Sequence, residues 1–312
     1  MANYNNLASL SGLQVGDVVD YNTQTTIDFK KYKVRIELDG IGPSSSKPGG
    51  LTQFDLDTKN LPSQTLTYTP LYGTSLCYGS SADKFYRIAV AGNAGYGNTS
   101  AATSICGQGG GSTGQSGSSA QTSLGNYTAG GGGGGTQTSG GSGGSVPSSS
   151  SVTKTAGTAG AFGRNTKTQV ISGIDYYDYE MAGWYSGGTG GYCSYSNKSA
   201  TGGNGGGSGF VVGNSTTTYP FGYMGNNSTL ISTIVSNISN YSLTQGGSTR
   251  YVTAGTSFPS AGNMKVTILE LPPVTGPKYY NGSAWVQTTV KRYNGSAWED
   301  VTMKYYDGSS WQ

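Results

Sequence analysis

The run Gly130-Gly131-Gly132-Gly133-Gly134-Gly135, followed farther on by Gly205-Gly206-Gly207, lies in a glycine-rich stretch from about residue 107 to 209 with strand-like sequence on both sides. Glycine loses more backbone freedom on folding than any other residue, so such a tract stays disordered unless something holds it. Two arrangements are open. One is a loose tether between folded modules. The other is an ordered bundle of glycine helices, packed so closely that only residues without side chains fit. The second is the expectation developed below, and it points to a structural or adhesive protein.

The composition agrees with an extended architecture. Gly reaches 54 and Tyr 24 of 312 residues, only 34% of positions are hydrophobic and 11% charged, which favours an all-β or fibrous protein over a helical bundle. Lys and Arg number 18 against 15 Asp and Glu, and no basic cluster is longer than Lys30-Lys31 or Lys291-Arg292. A nucleic-acid partner is therefore not expected. The apolar stretches are a few residues long, far below the ~20 that span a bilayer, so membrane insertion is not expected either.

Cys77, Cys106 and Cys193 are widely spaced, no CxxC occurs, and the chain has no His. That combination argues against a zinc site, and no cofactor is expected. A Cys106–Cys193 bridge is one option; three buried free thiols is the preferred one. The opening residues MANYNNLASLSGLQVGD lack a basic region followed by an apolar core, so no secretory signal is expected. A protein with surface-like composition and no export signal fits one that assembles into particles and leaves the cell by lysis.

Residues 1–16 read as a short polar lead. From Val18 on, strand signals with a period of two recur. In residues 32–38, Val34, Ile36 and Leu38 share one face and Arg35 and Glu37 the other. Phe54 and Leu56 do the same in 53–57, and 65–69 and 85–90 follow. Lys47-Pro48-Gly49-Gly50 and Asn60-Leu61-Pro62 punctuate them. These are half-buried antiparallel strands, the material of a sandwich. Strand character returns at Phe210-Val211-Val212 and ends with 264–271. Between them, Leu230, Ile231, Ile234, Val235, Ile238 and Tyr241 recur at helical spacing and predict one short helix.

Beyond Pro272-Pro273 the pattern changes. Tyr280-Asn281-Gly282-Ser283-Ala284-Trp285 recurs as Tyr293-Asn294-Gly295-Ser296-Ala297-Trp298 and as Tyr306-Asp307-Gly308-Ser309-Ser310-Trp311, a period of 13 residues with Lys291 and Lys304 in register. Asn-Gly or Asp-Gly between aromatic strands predicts hairpins with type I′ turns. A unit this small cannot bury its own face, so the units are expected to stack on one another or on symmetry mates. The organisation expected is a lead (1–16), a glycine-rich β-sandwich domain (17–271) and three aromatic hairpin repeats (272–312).

Several of these segments occur in a telling order. Tyr32-Lys33-Val34-Arg35-Ile36-Glu37-Leu38 comes first, then Arg87-Ile88-Ala89-Val90-Ala91-Gly92, then Gly130–Gly135 with Thr136-Gln137-Thr138-Ser139-Gly140-Gly141. Gly183-Trp184-Tyr185-Ser186-Gly187-Gly188 and Gly203-Asn204-Gly205-Gly206-Gly207-Ser208-Gly209-Phe210-Val211 follow. Over residues 17–271 this resembles the glycine-rich domain of the anaplastic lymphoma kinase ectodomain and its bacterial and phage relatives. The resemblance implies a jelly-roll-like β-sandwich carrying a lattice of polyglycine helices built on Gly130–Gly135 and Gly205–Gly207. A three-residue-per-turn left-handed helix makes no internal hydrogen bonds, so its amides must pair with neighbouring chains. The family's W-G-A-x-G-G is here Asp39-Gly40-Ile41-Gly42-Pro43-Ser44, which implies a smaller or less regular lattice. The kinase relatives' ligand site has no counterpart to carry over.

Catalysis is not expected. Without His, the one carboxylate cluster is Asp175-Tyr176-Tyr177-Asp178-Tyr179-Glu180, and an ordinary loop explains it better than a glycosidase pair or a calcium or sugar contact. Tyr280, Trp285, Tyr293, Trp298, Tyr306 and Trp311 are the candidate binding residues. Their flat rings with polar tips suit a sugar or a protein partner. The rival reading, preferred on sequence alone, makes them the small core of stacked hairpins.

Together these features lead to a functional expectation: a non-catalytic structural protein on the surface of a bacteriophage or phage-tail-like particle. It would be an appendage such as a tail fibre or receptor-binding adhesin. Its partners would be other virion proteins, a host-surface polysaccharide or protein, and copies of itself, with a trimer as the natural closed form. A capsid decoration or head-fibre protein and a bacterial surface adhesin are the alternatives, and a depolymerase is the enzymatic rival.

Overall fold

The computed structural model describes residues 1–42, 49–70, 74–82, 86–95, 108, 110–117, 119–121, 128–129, 133–135, 153–155, 167–171, 174–177, 192–195, 198–201, 205–213, 227–246, 262–272, 278–280, 282–283, 285–287 and 290–301. It divides into two compact units, Met1–Leu271 and Pro272–Gln312.

The first unit is a β-sandwich. One sheet has six strands in the order β1 (Asn3–Asn5), β2 (Val18–Tyr21), β18 (Asn263–Glu270), β4 (Lys33–Asp39), β5 (Gly50–Asp57) and β17 (Ile238–Gln245). The other has five, in the order β16 (Phe210–Val211), β8 (Arg87–Val90), β7 (Ser75–Tyr78), β6 (Thr65–Thr69) and β3 (Thr25–Asp28). Alternation decides which face goes inward: Val34, Ile36 and Leu38 of β4 are buried, as are Phe54 and Leu56 of β5 and Met264, Val266 and Ile268 of β18. Leu66, Leu76, Ile88, Val90 and Phe210 join them in a single core. Each fully buried aliphatic or aromatic side chain contributes about 1.5–3 kcal/mol, so these layers supply most of the driving force.

Polar tethers also link the sheets. The rings of Tyr21 and Tyr68 stand 6.4 Å apart and tilted by 53°. The Tyr68 hydroxyl donates to the Gly262 carbonyl at 2.8 Å, and that of Tyr21 to the Leu7 carbonyl at 2.8 Å. Burial pushes both phenols well above their ordinary range. The Thr52 hydroxyl of β5 donates to the Val90 carbonyl of β8 at 2.8 Å.

Charges line the outward face of the larger sheet. Arg35 donates to both oxygens of Asp55, at 2.8 and 3.2 Å, and the Asn240 amide donates to Asp55 at 2.7 Å. Glu270 accepts from Lys33 at 3.0 Å and from Lys59 at 2.6 Å.

Three sequence expectations need correction. The lead is not separate: β1 pairs in parallel with β2, Leu10 and Leu13 are buried, and the Asp17 carboxylate accepts from the amides of Gln14 and Ala2. Its two buried leucines were too few to register as a periodic pattern. The helical stretch is shorter than its spacing suggests. Helix α1 (Ser228–Ser236) starts at Asn227, whose side chain accepts from the Leu230 amide, and stops at Asn237. Ile238 and Tyr241 belong to β17, because β5 offers that segment a ladder of backbone partners. Finally, the turns of the two described hairpins differ from type I′.

Cys77 is buried in β7, Cys193 lies in β14 (Tyr192–Tyr195), and Cys106 falls outside the described residues. Shorter pairings complete this unit: β9 (Ala120–Gln121) with β10 (Thr128–Ala129), β12 (Lys167–Ile171) with β13 (Ile174–Tyr177), and β11 (Thr153–Thr155) with β14 and β15 (Lys198–Thr201). No described helix is long and apolar enough to cross a membrane.

Candidate functional site

Gly205, Gly206 and Gly207 sit where several distant segments converge. The Gly206 amide donates to the Gln115 carbonyl at 2.8 Å, and the Gly206 carbonyl accepts from Gly135 at 3.0 Å. The Gly207 amide donates to Asn93 at 3.0 Å, and its carbonyl accepts from Gly110 at 2.8 Å. Gly114 donates to Gly135 at 2.8 Å. Two consecutive residues thus bond to three separate segments, around residues 93, 110–115 and 135. A strand in a sheet has partners on two sides in one plane.

At several of its glycines the packing leaves no space for a side chain. A Cβ on Gly134 would overlap the Gly114 carbonyl, one on Gly114 the Gly206 carbonyl, one on Gly205 the Gly133 carbonyl, and one on Gly92 the Gly207 carbonyl. Backbone atoms cannot yield as a flexible side chain would. The array reaches the sandwich through Gly40, whose Cβ would overlap the Gly92 carbonyl, and through Ile41, whose amide donates to the Asn93 side chain at 2.8 Å and whose carbonyl accepts from Ala94 at 2.8 Å.

Of the glycines singled out from sequence, Gly133, Gly134, Gly135, Gly205, Gly206 and Gly207 meet in this array. Gly130, Gly131 and Gly132 lie outside the described residues. Sequence reasoning missed Gly40, Gly92, Gly110, Gly114 and the bridging Asn93. Gly92 and Gly114 are isolated and carry no run-length signal, Gly110 sits in the short run Gly109-Gly110-Gly111, and Gly40 stood outside any glycine run.

The second unit presents the aromatic repeats. Its first described hairpin pairs β19 (Lys278–Tyr280) with β20 (Trp285–Gln287), with Tyr280 opposite Trp285. The second pairs β21 (Val290–Tyr293) with β22 (Trp298–Val301), with Tyr293 opposite Trp298. Tyr306 and Trp311, in the third repeat, lie outside the described residues.

The register centres the second turn on Gly295-Ser296, one residue past the Asn-Gly centre that a type I′ turn requires. The Asn294 amide donates to the Ala297 carbonyl at 3.0 Å, closing a two-residue loop. Gly295 has φ of +102°, and Gly282 in the equivalent place +101°, while Asn294 is not among the residues at positive φ. Glycine at the first central position is the type II′ requirement. Asn294 instead uses its side chain, accepting from the amides of Ser296 and Ala297 at 2.9 Å each.

Alternation puts Lys291, Tyr293, Trp298 and Asp300 on one face of this hairpin. The two rings are 5.5 Å apart and inclined by 51°, yet Tyr293 stays 53% exposed and Trp298 66%. Lys291 pairs with Asp300 at 3.2 Å, and on the opposite face Arg292 pairs with Glu299 at 3.6 Å.

Of the acidic stretch, Asp175 lies in β13, whereas Asp178 and Glu180 fall outside the described residues. Among the described residues, no group of three or more His, Cys, Asp or Glu could hold a metal ion. No protein-family model, curated protein or solved structure matches this chain.

Proposed function

We propose that this chain is a non-catalytic structural protein on the surface of a bacteriophage or phage-tail-like particle, an appendage of the tail-fibre or receptor-binding type. Its body is a jelly-roll-like sandwich with a polyglycine lattice, and its aromatic hairpins make the outward contacts. The observation that carries this reading is the bonding of Gly206 and Gly207 to three neighbouring segments at once. Three-sided pairing, beside glycines such as Gly114, Gly134 and Gly205 that have no room for a Cβ, is the behaviour of three-residue-per-turn glycine helices in a lattice, and it supports the likeness to the glycine-rich domain family.

Such a slab is a rigid spacer, stitched by backbone hydrogen bonds and offering few side chains for chemistry. Rigidity and repetition suit a protein that acts by multivalent contact, in which several weak sites on an oligomer combine into strong avidity. The partners would be other virion proteins, a host-surface polysaccharide or protein, and two further copies in a trimer. The virion surface is the proposed location.

Immunogold labelling of purified particles with an antibody to this chain tests the proposal. Label at the tail tip or fibres is the expected result. Label on the head would turn the reading to a capsid decoration or head-fibre protein, and label only on bacterial envelopes to a cellular adhesin. New reducing ends released from host polysaccharide would replace the non-catalytic reading with a depolymerase.

A further inference from the structure

We propose that the face of the second hairpin formed by Lys291, Tyr293, Trp298 and Asp300 is a binding site for an uncharged polysaccharide, with Trp298 as the stacking platform. The inference rests on the surface-contact reading above and names its ligand class.

Size comes first. Each strand of this hairpin has four residues, so its face is about 13 Å long and about 10 Å wide. A stable protein partner takes roughly 800 Å² per side, several times what this face offers. One or two sugar rings match it. Tyr293 and Trp298 are more than half exposed and rest on each other, so the platform is already formed and little rotamer freedom is lost on binding.

Charge decides between sugar polymers. A polyanion is held by unpaired basic groups that release counterions on binding. Here Lys291 is neutralised by Asp300 and Arg292 by Glu299, so neither face has a net charge. The Lys291–Asp300 pair does offer a donor and an acceptor, about 7 Å along the strands from the rings. A pyranose stacked through its apolar face on Trp298 would direct its hydroxyls toward that pair. The recurrence of the Tyr-Asn/Asp-Gly-Ser-x-Trp unit every 13 residues suits a polymer that also repeats.

The test applies the intact chain to an array of neutral glycans (glucans, mannans, galactans and chitin oligomers), with polyphosphate as the anionic comparison. Retention on at least one neutral glycan is expected, with a shift in tryptophan emission. Trp298→Ala should weaken it about tenfold, the equivalent of one aromatic contact, while Trp298→Phe keeps most of it. Because Trp298 is exposed, the far-UV spectrum and melting of Trp298→Ala should match the parent.

Retention by polyphosphate alone, by no neutral glycan, or equally by parent and Trp298→Ala would each overturn the inference. A Trp298→Ala chain that changes sedimentation but not retention would reassign the rings to self-packing. The assay needs no particle. A chain that binds glycan but labels no virion keeps this inference and loses the appendage reading, and the converse result does the opposite.

Discussion

The Gly114 amide donates to the Gly135 carbonyl at 2.8 Å, and the same Gly114 offers its own carbonyl to the space where a Cβ on Gly134 would stand. Hydrogen bonding and steric exclusion therefore act on one pair of backbones. Gly134→Val should destabilise the array. Forcing a core apart costs about 1–3 kcal/mol, and here rigid backbone cannot relax. A fall in melting temperature of about 5–10 °C is expected by calorimetry. Gly79→Ala is the comparison: it sits in open space with φ of +97°, so only backbone strain of about 1–2 kcal/mol applies. If Gly134→Val melts with the parent, the glycine tract is a tether after all.

Asp55 should make the sandwich acid-sensitive. Burial raises its carboxyl pKa, but the hydrogen bonds from Arg35 and Asn240 outweigh that and hold it below the ordinary carboxylate range. A depressed folded value means that the stabilisation is present above the unfolded value of about 3.9 and is lost as pH falls through the lower folded one. Urea midpoints of the parent should therefore drop below about pH 4, and Asp55→Asn should flatten that drop. Arg35→Met, which leaves the buried carboxylate without its main partner, should cost about 2 kcal/mol at pH 7 and less at pH 3.

The Tyr68 hydroxyl tests the polar tie between chain regions 194 residues apart. Tyr68→Phe keeps the ring against Tyr21 and removes only the bond to the Gly262 carbonyl. A loss of about 1–1.5 kcal/mol in denaturant unfolding is expected. Tyr68→Ala also opens a cavity between the sheets and should cost about 3–5 kcal/mol.

In the second unit, the side-chain brace of Asn294 predicts a local effect. Asn294→Ala should speed amide exchange at Ser296 and Ala297, the two donors that it accepts. Gly295→Ala meets no neighbouring atom but must adopt φ of +102°, so strain of about 1–2 kcal/mol should loosen the Tyr293–Trp298 pairing. Nuclear Overhauser contacts between those two rings would report it. Unchanged exchange in the Asn294 variant would show that the brace is incidental.

Much was legible in the linear chain because it depends on short-range periodicity. The alternation of Val34, Ile36 and Leu38 against Arg35 and Glu37 marked a half-buried strand, and β4 has that inward and outward order. Phe54 with Leu56 and the strand ending near Leu271 were readable on the same ground. The repeats of Tyr, Gly and Trp marked hairpins, and the two among the described residues needed only a count. Their turn centre did not follow from composition, since Asn-Gly and Gly-Ser each satisfy a hairpin turn and cross-strand register chooses between them.

What the tertiary structure alone decided was partnership. Ile238 and Tyr241 continue a helical spacing, yet β5 offers backbone hydrogen bonds that outweigh a local preference of a few tenths of a kcal/mol per residue. Leu10 and Leu13 looked like part of a polar lead until the sandwich supplied a surface to cover them. Gly40, Gly92 and Gly114 were ordinary isolated glycines in the chain, and only their neighbours made a side chain impossible. The residues themselves dictate what each segment can do alone, through stereochemistry and alternation. Which segments meet depends on contacts far apart in sequence, and no local pattern records those.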